Sequence, residues 1–275
     1  MKTGIVCEGG GMRGTFTAGV LQAFMDKGFM ADELIGVSAG ASNGVSYISG
    51  QKERGYRTNV GYAGDKRYVS KRNYLKTGSL FGMDFIFGEI PEKLDPFDYK
   101  AFHASPCDFF AGATNVETGK IEYFGKDEIQ PGLTALKASC SLPVFSKIID
   151  YKGKKYLDGG TACPIPVEKA IETGCEKMII ILTQARGYKK EPQGFRFAYA
   201  RKYKQYPQLV KAMDKRHTVY NETLARIEYL ERSGKAIVIA PIYSLSVDRF
   251  GKDRNALIDA YKLGTACGLE ALKII

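Results

Sequence analysis

Apolar positions in this chain follow two alternating periods. Short continuous hydrophobic runs, as in buried strands, alternate with stretches where apolar residues recur every three or four positions, as in amphipathic helices. The first run, residues 2 to 7, predicts a strand followed by a glycine-rich loop; a helix is expected from Thr15 to about Lys27, with Ala18, Leu21, Ala23, Phe24 and Met25 apolar and Gly28 as its stop. A second strand at 33 to 37 leads into a helix of small residues ending near Gly50, so a βαβα unit fills this first part of the chain. Strands at 108 to 115 and 119 to 124 flank the hairpin signal Glu117-Thr118-Gly119. A helix near 131 to 138 follows, then a turn at Tyr151-Lys152-Gly153 and a short strand ending on Asp158. After these come a helix from Pro166 to Thr173, a buried strand at 177 to 183, a long helix at 207 to 233, a strand at 236 to 240 and a closing helix at about 253 to 273. In that last helix Gly264 and Gly268 are expected to allow close packing on the sheet. The class is α/β with a mainly parallel sheet.

The longest apolar runs, 178 to 182 and 236 to 240, are strand length, far short of the roughly 20 residues that span a bilayer. Neither a signal-peptide hydrophobic region nor a cleavage site precedes the first strand, so the expectation is a soluble, cytoplasmic protein. At 275 residues and 44% hydrophobic content, a single domain over 1–275 is expected. Two stretches break the α/β pattern: 51–105 reads as a cap-like insertion and 184–206 as a basic surface excursion. Six scattered cysteines without a C-x-x-C pair imply neither disulfides nor a zinc site, and no metal or other cofactor is expected.

Charge is concentrated. Residues 52 to 76 hold eight Lys/Arg against two acids and residues 186 to 204 hold seven against one, so the two stretches carry +6 each and the rest of the +10 chain sums to −2. Both interleave tyrosine or phenylalanine with the cations, a composition suited to an anionic surface, whether phospholipid headgroups or nucleic acid. Leu80, Phe81, Met83, Phe85, Ile86, Phe87 and Ile90 follow the first stretch. Such a cluster can roof an acyl channel, pack beneath the sheet edge, or enter lipid beside the basic residues.

Candidate chemistry begins with Gly36-Val37-Ser38-Ala39-Gly40, placed where a strand turns into a helix. A serine there occupies a strained nucleophile elbow at a helix N-terminus, which favours developing negative charge. Gly9-Gly10-Gly11-Met12-Arg13-Gly14 follows the neighbouring strand and matches a dinucleotide-binding loop, but that reading needs a carboxylate at the end of the second strand, where Val37-Ser38 stands. The same run of backbone N–H groups suits the oxyanion of acyl transfer. For a base, His217 lies among Leu209, Met213, Tyr220, Leu224 and Ile227 at helical spacing, as a core histidine would, and His103 has no motif around it. Asp158, just before Gly159-Gly160, is a carboxylate with open space about it. A Ser38/Asp158/His217 triad has the chain order of an α/β-hydrolase, and a non-catalytic nucleotide-binding module using Gly9–Gly14 also stays open.

Gly9-Gly10-Gly11-x-Arg13-Gly14, Gly36-x-Ser38-x-Gly40 and Asp158-Gly159-Gly160, in this order, resemble the patatin-like phospholipases of bacterial type, as do Ala138–Pro143 and Pro166-Val167 around the third motif. The resemblance covers about residues 4 to 50 and 105 to 182. It implies a three-layer α/β/α sandwich and hydrolysis of fatty-acyl esters of lipids or phospholipids by a Ser-Asp dyad. Ser38 would be the nucleophile, Asp158 the base, and N–H groups around Gly10-Gly11-Met12 the oxyanion hole. It also favours peripheral contact with an anionic membrane over nucleic acid. Where the family often places Asp-Asn or Asp-Ser after Asp-Gly-Gly, this chain has Cys163-Pro164.

Overall fold

In the computed structural model, which describes residues 1–275, eight strands form one open mixed sheet. Its order is β5 (Ile149–Tyr151), β6 (Lys154–Asp158), β3 (Asp108–Asn115), β2 (Glu33–Val37), β1 (Thr3–Cys7), β7 (Lys177–Ile181) and β8 (Ala236–Ile239), with β4 (Ile121–Phe124) paired to β3 off this path. The run β3-β2-β1-β7-β8 is parallel throughout, and β4, β5 and β6 form the antiparallel margin. This is the expected α/β architecture with its helices on both faces.

Alternation along the strands decides which helices cover which face. Ile5, Cys7, Leu34, Ile179 and Ile181 point into the larger core, beneath α1 (Thr15–Asp26), α2 (Ala39–Ile48) and α10 (Arg254–Ala271). Val6, Ile35, Met178, Ile180 and Val238 point the other way, against α7 (Val167–Glu172) and the long α9 (Pro207–Arg232). The core runs on from the sheet into residues 51–105, which carry α3 (Arg54–Tyr56), α4 (Lys71–Thr77), a wide-turn helix over Phe85–Leu94 and α5 (Tyr99–Ala104). Between β4 and β5 lies α6 (Thr134–Ser139), and α8 (Arg196–Lys202) occupies the basic excursion. No helix is long and apolar enough to cross a membrane.

β3 positions everything that follows. Its residues 108–112 pair with β2, 111–114 with β4 and 113–115 with β6. Because β4 overlaps both other registers, β2 and β6 must share the opposite edge of β3, one after the other. Val37 pairs with Gly112 and Asp158 with the next residue, Ala113, so β6 ends where β2 ends.

One expectation is corrected. Gly264 and Gly268 do permit close packing, but on α1 rather than the sheet: a Cβ on Gly264 would strike the Phe16 carbonyl, and one on Gly268 would come within 2.9 Å of Ala23 Cβ. Of the readings open for the aromatic cluster after the first basic stretch, its burial favours packing within the fold over entry into lipid. Phe81, Met83, Phe85, Phe87 and Ile90 are all buried in the main core, and several of the neighbouring cations are engaged in holding this segment in place. Arg57 forks onto Asp95 at 2.7 and 3.0 Å, and Arg67 pairs with Asp65 at 2.8 Å and Glu89 at 2.7 Å.

Gly264→Ala tests the helix contact. Alanine gains about 1 kcal/mol in helix propensity, but overpacking against backbone, which cannot rotate away, costs about 1–3 kcal/mol. The variant is expected to unfold at a lower denaturant midpoint than the parent. A higher midpoint would mean that α1 and α10 separate freely.

Candidate active site

Ser38 joins β2 to α2 with φ 53° and ψ −126°, a conformation that L-residues rarely adopt. Its hydroxyl caps no helix N–H, so it is not consumed by the turn that strains it. Its own N–H donates to Ser139 Oγ at 2.9 Å, and Ser139 Oγ donates to the Gly112 carbonyl at 2.7 Å. Thus α6 and β3 hold the bend from behind. The turn is tight enough that a Cβ on Gly40 would lie 2.5 Å from the Cys7 carbonyl, while Gly36 lies against the backbone of Gly40 and Ala41.

The register of β3 brings Asp158 to the same place. Its carboxyl is buried, 3% exposed, and its Oδ1 accepts the Gly160 N–H at 2.9 Å, while its Oδ2 is enclosed without a hydrogen-bond partner. Gly159 lies against Val37 and the Gly112 backbone, and Thr114 Oγ1 donates to the Asp158 carbonyl at 2.8 Å. The Ser38 hydroxyl is near enough to stabilise the Asp158 carboxylate, although no aligned hydrogen bond joins them. Such bonds often tighten only when substrate is bound. Burial pushes the Asp158 carboxyl above the usual range; Ser38, Arg216, Arg249 and the Gly160 N–H oppose it.

The glycine loop lies alongside. A Cβ on Gly9 would lie 3.2 Å from Ser38 Cβ, one on Gly10 2.8 Å from Thr183 Oγ1 and one on Gly14 2.6 Å from Ala39 Cβ. Gly11 has φ +57° and presses on Arg249, a place where any side chain would be both strained and obstructed. The expected donors differ among themselves. Gly9 N–H is taken by the Pro164 carbonyl at 3.3 Å and Met12 N–H by the Arg249 carbonyl at 3.1 Å. Gly10 N–H meets no backbone acceptor, and Gly11 opens a helical turn and so lacks an intrahelical one. Asn43 ties the loop to α2 by donating to the Gly14 carbonyl at 2.9 Å.

A narrow cavity opens beside these groups, lined by Gly11, Met12, Ser38 and Ala39 on one side and by Tyr68, Phe81, Met83, Ile86 and Phe87 of the inserted segment on the other. An apolar slot that ends on a strained serine suits a hydrocarbon chain with a reactive group at its head. Cys140 completes the wall, and its thiol is pushed well above its ordinary value, first by burial and then by Asp158. It stays a neutral neighbour of Ser38.

His217 is not brought in. It is half-buried on α9, with Nδ1 enclosed and unpartnered and Nε2 3.4 Å from Thr218 Oγ1, and it bonds neither Ser38 nor Asp158. The preceding residue takes the position instead: Arg216 Nε donates to the Gly160 carbonyl at 2.5 Å. His103 bonds the Ile129 carbonyl at 3.0 Å. No carboxylate stands at the end of β2 for a ribose, since Asp32 lies at the other end and accepts the Thr3 N–H at 2.7 Å.

Sequence reasoning missed Arg216, Arg249, Lys190, Glu8 and the bracing role of Ser139. Ser139 lay within Ala138–Pro143 and Lys190 within the basic excursion, both already singled out; Arg216 and Arg249 carried no such mark. Glu8 is buried at the end of β1, accepting the Thr183 N–H at 2.6 Å and the Tyr220 hydroxyl at 2.9 Å.

The family model for patatin-like phospholipases matches residues 5–171. A second model, for a domain of unknown function (DUF6363), matches residues 206–275. The uncharacterized protein YjjU of Escherichia coli strain K12 is 29% identical over 279 residues, spanning 97% of this chain and 76% of its own. Among solved structures, VipD from Legionella pneumophila aligns with a TM-score of 0.47 at 14% identity, over 99% of this chain and 67% of that one.

The raised pKa of Asp158 has a stability consequence. A carboxyl whose folded pKa lies above its unfolded value contributes stability below the unfolded pKa and loses it as pH rises through the folded one, by about 1.4 kcal/mol for each tenfold difference in proton affinity between the two states. Asp158→Asn escapes that loss and is expected to melt higher than the parent at pH 8, with the gap closing near pH 4. A gap independent of pH would mean that the carboxylate is not held at a cost.

Proposed function

Because the chain belongs to the patatin-like phospholipase family, we propose that it is a serine acyl hydrolase that cleaves fatty-acyl esters of lipids through Ser38 and Asp158. The reading is supported above all by the shared edge of β3, along which Val37, the residue before Ser38, and Asp158 take adjacent register positions. Asp158 takes the Ser38 proton as the hydroxyl oxygen attacks the ester carbonyl. The tetrahedral oxyanion is received by the N–H groups of Gly10 and Gly11, each donor worth about 3–4 kcal/mol in such sites. The alcohol leaves with the proton from Asp158, and a water deprotonated by the same carboxylate then releases the fatty acid. The acyl chain lies in the cavity between the glycine loop and the inserted segment, which serves as its cap. The whole chain acts as one domain on this reading.

Ser38→Ala and Asp158→Asn are each expected to lower kcat/KM for p-nitrophenyl esters by about 10³-fold or more, and Ser38→Ala to abolish labelling by a fluorophosphonate. In the parent, kcat/KM falls on acidification as Asp158 takes up a proton, with the midpoint above the ordinary carboxylate range because burial raises it. Labelling that survives in Ser38→Ala sinks the assignment.

Membrane engagement, on this reading, uses the tips of both basic stretches rather than the aromatic cluster that follows the first. Tyr74 of α4 and Lys202 of α8 both donate to the Val144 carbonyl, at 3.3 and 3.0 Å, so the two basic segments meet on one face. Leu75 of α4 and Phe195 and Phe197 at the start of α8 are 85%, 89% and 81% exposed, and Lys71, Arg72, Lys76 and Arg201 of the same two segments have no acidic partner. Apolar tips among free cations suit an anionic lipid surface, where each cation contributes about 1 kcal/mol. Replacing Leu75, Phe195 and Phe197 together by serine is expected to weaken sedimentation with phosphatidylglycerol vesicles about tenfold or more. Equal sedimentation of parent and triple variant would remove this face from consideration.

A further inference from the structure

Four cations converge from separate parts of the chain beside the Ser38–Asp158 pair. Arg13 stands in the glycine loop, with its Nε enclosed and without a partner. Arg249 lies on Gly11, its Cγ 2.7 Å from where a Cβ would stand, and Arg216 reaches the Gly160 carbonyl from α9. Lys190 is clamped to α9 by a reciprocal pair with Asn221, at 2.9 and 3.0 Å, and its ammonium rests 4.9 Å from the centre of the Tyr220 ring. Tyr220 in turn donates to Glu8.

None of the four forms an ion pair, although most cations packed against the rest of the fold do. The carboxylates in their neighbourhood are Glu8, whose oxygens take the Thr183 N–H and the Tyr220 hydroxyl, and Asp158, which takes the Gly160 N–H. Four positive groups therefore face two acids, and an excess of positive charge remains. Burial first, then Arg216 and Arg249, pull the Lys190 ammonium down to about 7, with Glu8 opposing and Arg13 adding to the fall. Holding unpaired charge half-buried is costly unless an anion completes the cluster.

We propose that Arg13, Lys190, Arg216 and Arg249 form a site for the phosphoryl group of an anionic lipid, one whose headgroup carries no balancing cation. The proposal rests on the acyl-hydrolase reading for the identity of the ligand, and it adds a headgroup preference to it. A zwitterionic headgroup would return a positive charge to a cluster that already has an excess. Guanidinium forks and an ammonium together match the several oxygens of a phosphoryl group.

The test is calorimetric binding of dihexanoyl phosphatidic acid, dihexanoyl phosphatidylcholine and inorganic phosphate to the full chain, on the parent and on Ser38→Ala, which prevents turnover. Phosphatidate is expected to bind about tenfold or more tighter than phosphatidylcholine, and Lys190→Gln and Arg249→Gln each to weaken it about tenfold. Lys190→Arg, which keeps the charge, should retain the preference, and it separates lost charge from lost folding. Equal binding of the two lipids by Ser38→Ala, or a preference that survives both neutralisations together, overturns the proposal. Inorganic phosphate binding as tightly as phosphatidate overturns the lipid assignment. The two readings fail separately: a preference without ester hydrolysis by the parent removes the reaction and leaves the site, whereas hydrolysis indifferent to headgroup charge, with equal binding, removes the site and leaves the reaction.

Discussion

One strand with two neighbours along a single edge governs this molecule. β3 spans Asp108–Asn115, long enough to pair first with β2 and then, past Gly112, with β6. Parallel β2 arrives from one side and antiparallel β6 from the other, so their carboxyl ends meet. The encounter joins residues far apart in sequence without any flexible loop between them and the sheet. Hydrogen bonds fix it further, from Ser38 N–H through Ser139 to the Gly112 carbonyl and from Thr114 to the Asp158 carbonyl. A strained serine persists only where its surroundings over-determine it, and here three elements do so.

That arrangement accounts for what was legible in the sequence. The strands and helices of the first part were readable because period and punctuation agree there: β1, α1, β2 and α2 lie within two residues of expectation. Gly36, Gly40 and Gly159 announce themselves because each lies where another backbone passes too close for a side chain. The glycines of α10 announced a close approach equally well, but a missing Cβ does not say what approaches, and α1 proved to be the partner. Residues 51–105 were harder, since the wide helical turns over Phe85–Leu94, with Pro91 inside, follow neither helical nor strand periodicity. Whether their aromatics faced lipid or the core stayed open because the cations beside them carry no mark of being paired, and in the structure Arg57 and Arg67 are engaged with Asp95, Asp65 and Glu89.

The cation cluster was illegible for a related reason. Arg216 is one of many charged residues on a long amphipathic helix, and His217 beside it draws the eye as the rarer and more reactive type. Neighbouring residues on a helix point about 100° apart, so only one of the two can face the sheet end. Only the tertiary arrangement decides that it is the arginine. The residues that supply Ser38 and Asp158 lie within the segment matched to the phospholipase family, whereas Arg216 and Arg249 lie in the segment matched to the domain of unknown function. The C-terminal segment thus reaches the same few ångströms of space as the motifs that precede it.

Asp158 stands between opposing influences. Burial favours its protonated form, and Arg216 and Arg249 favour its charged form. On the proposed reading, the base must be ionised to receive the serine proton and yet have enough proton affinity to hold it. A phosphoryl group placed among the cations would cancel part of the field that keeps Asp158 a weak base, raising its affinity for a proton once a substrate is in place. An uncharged ester would leave that field intact. Headgroup charge would then act on the chemical step as well as on binding, through the carboxylate rather than through contact with the reacting carbonyl.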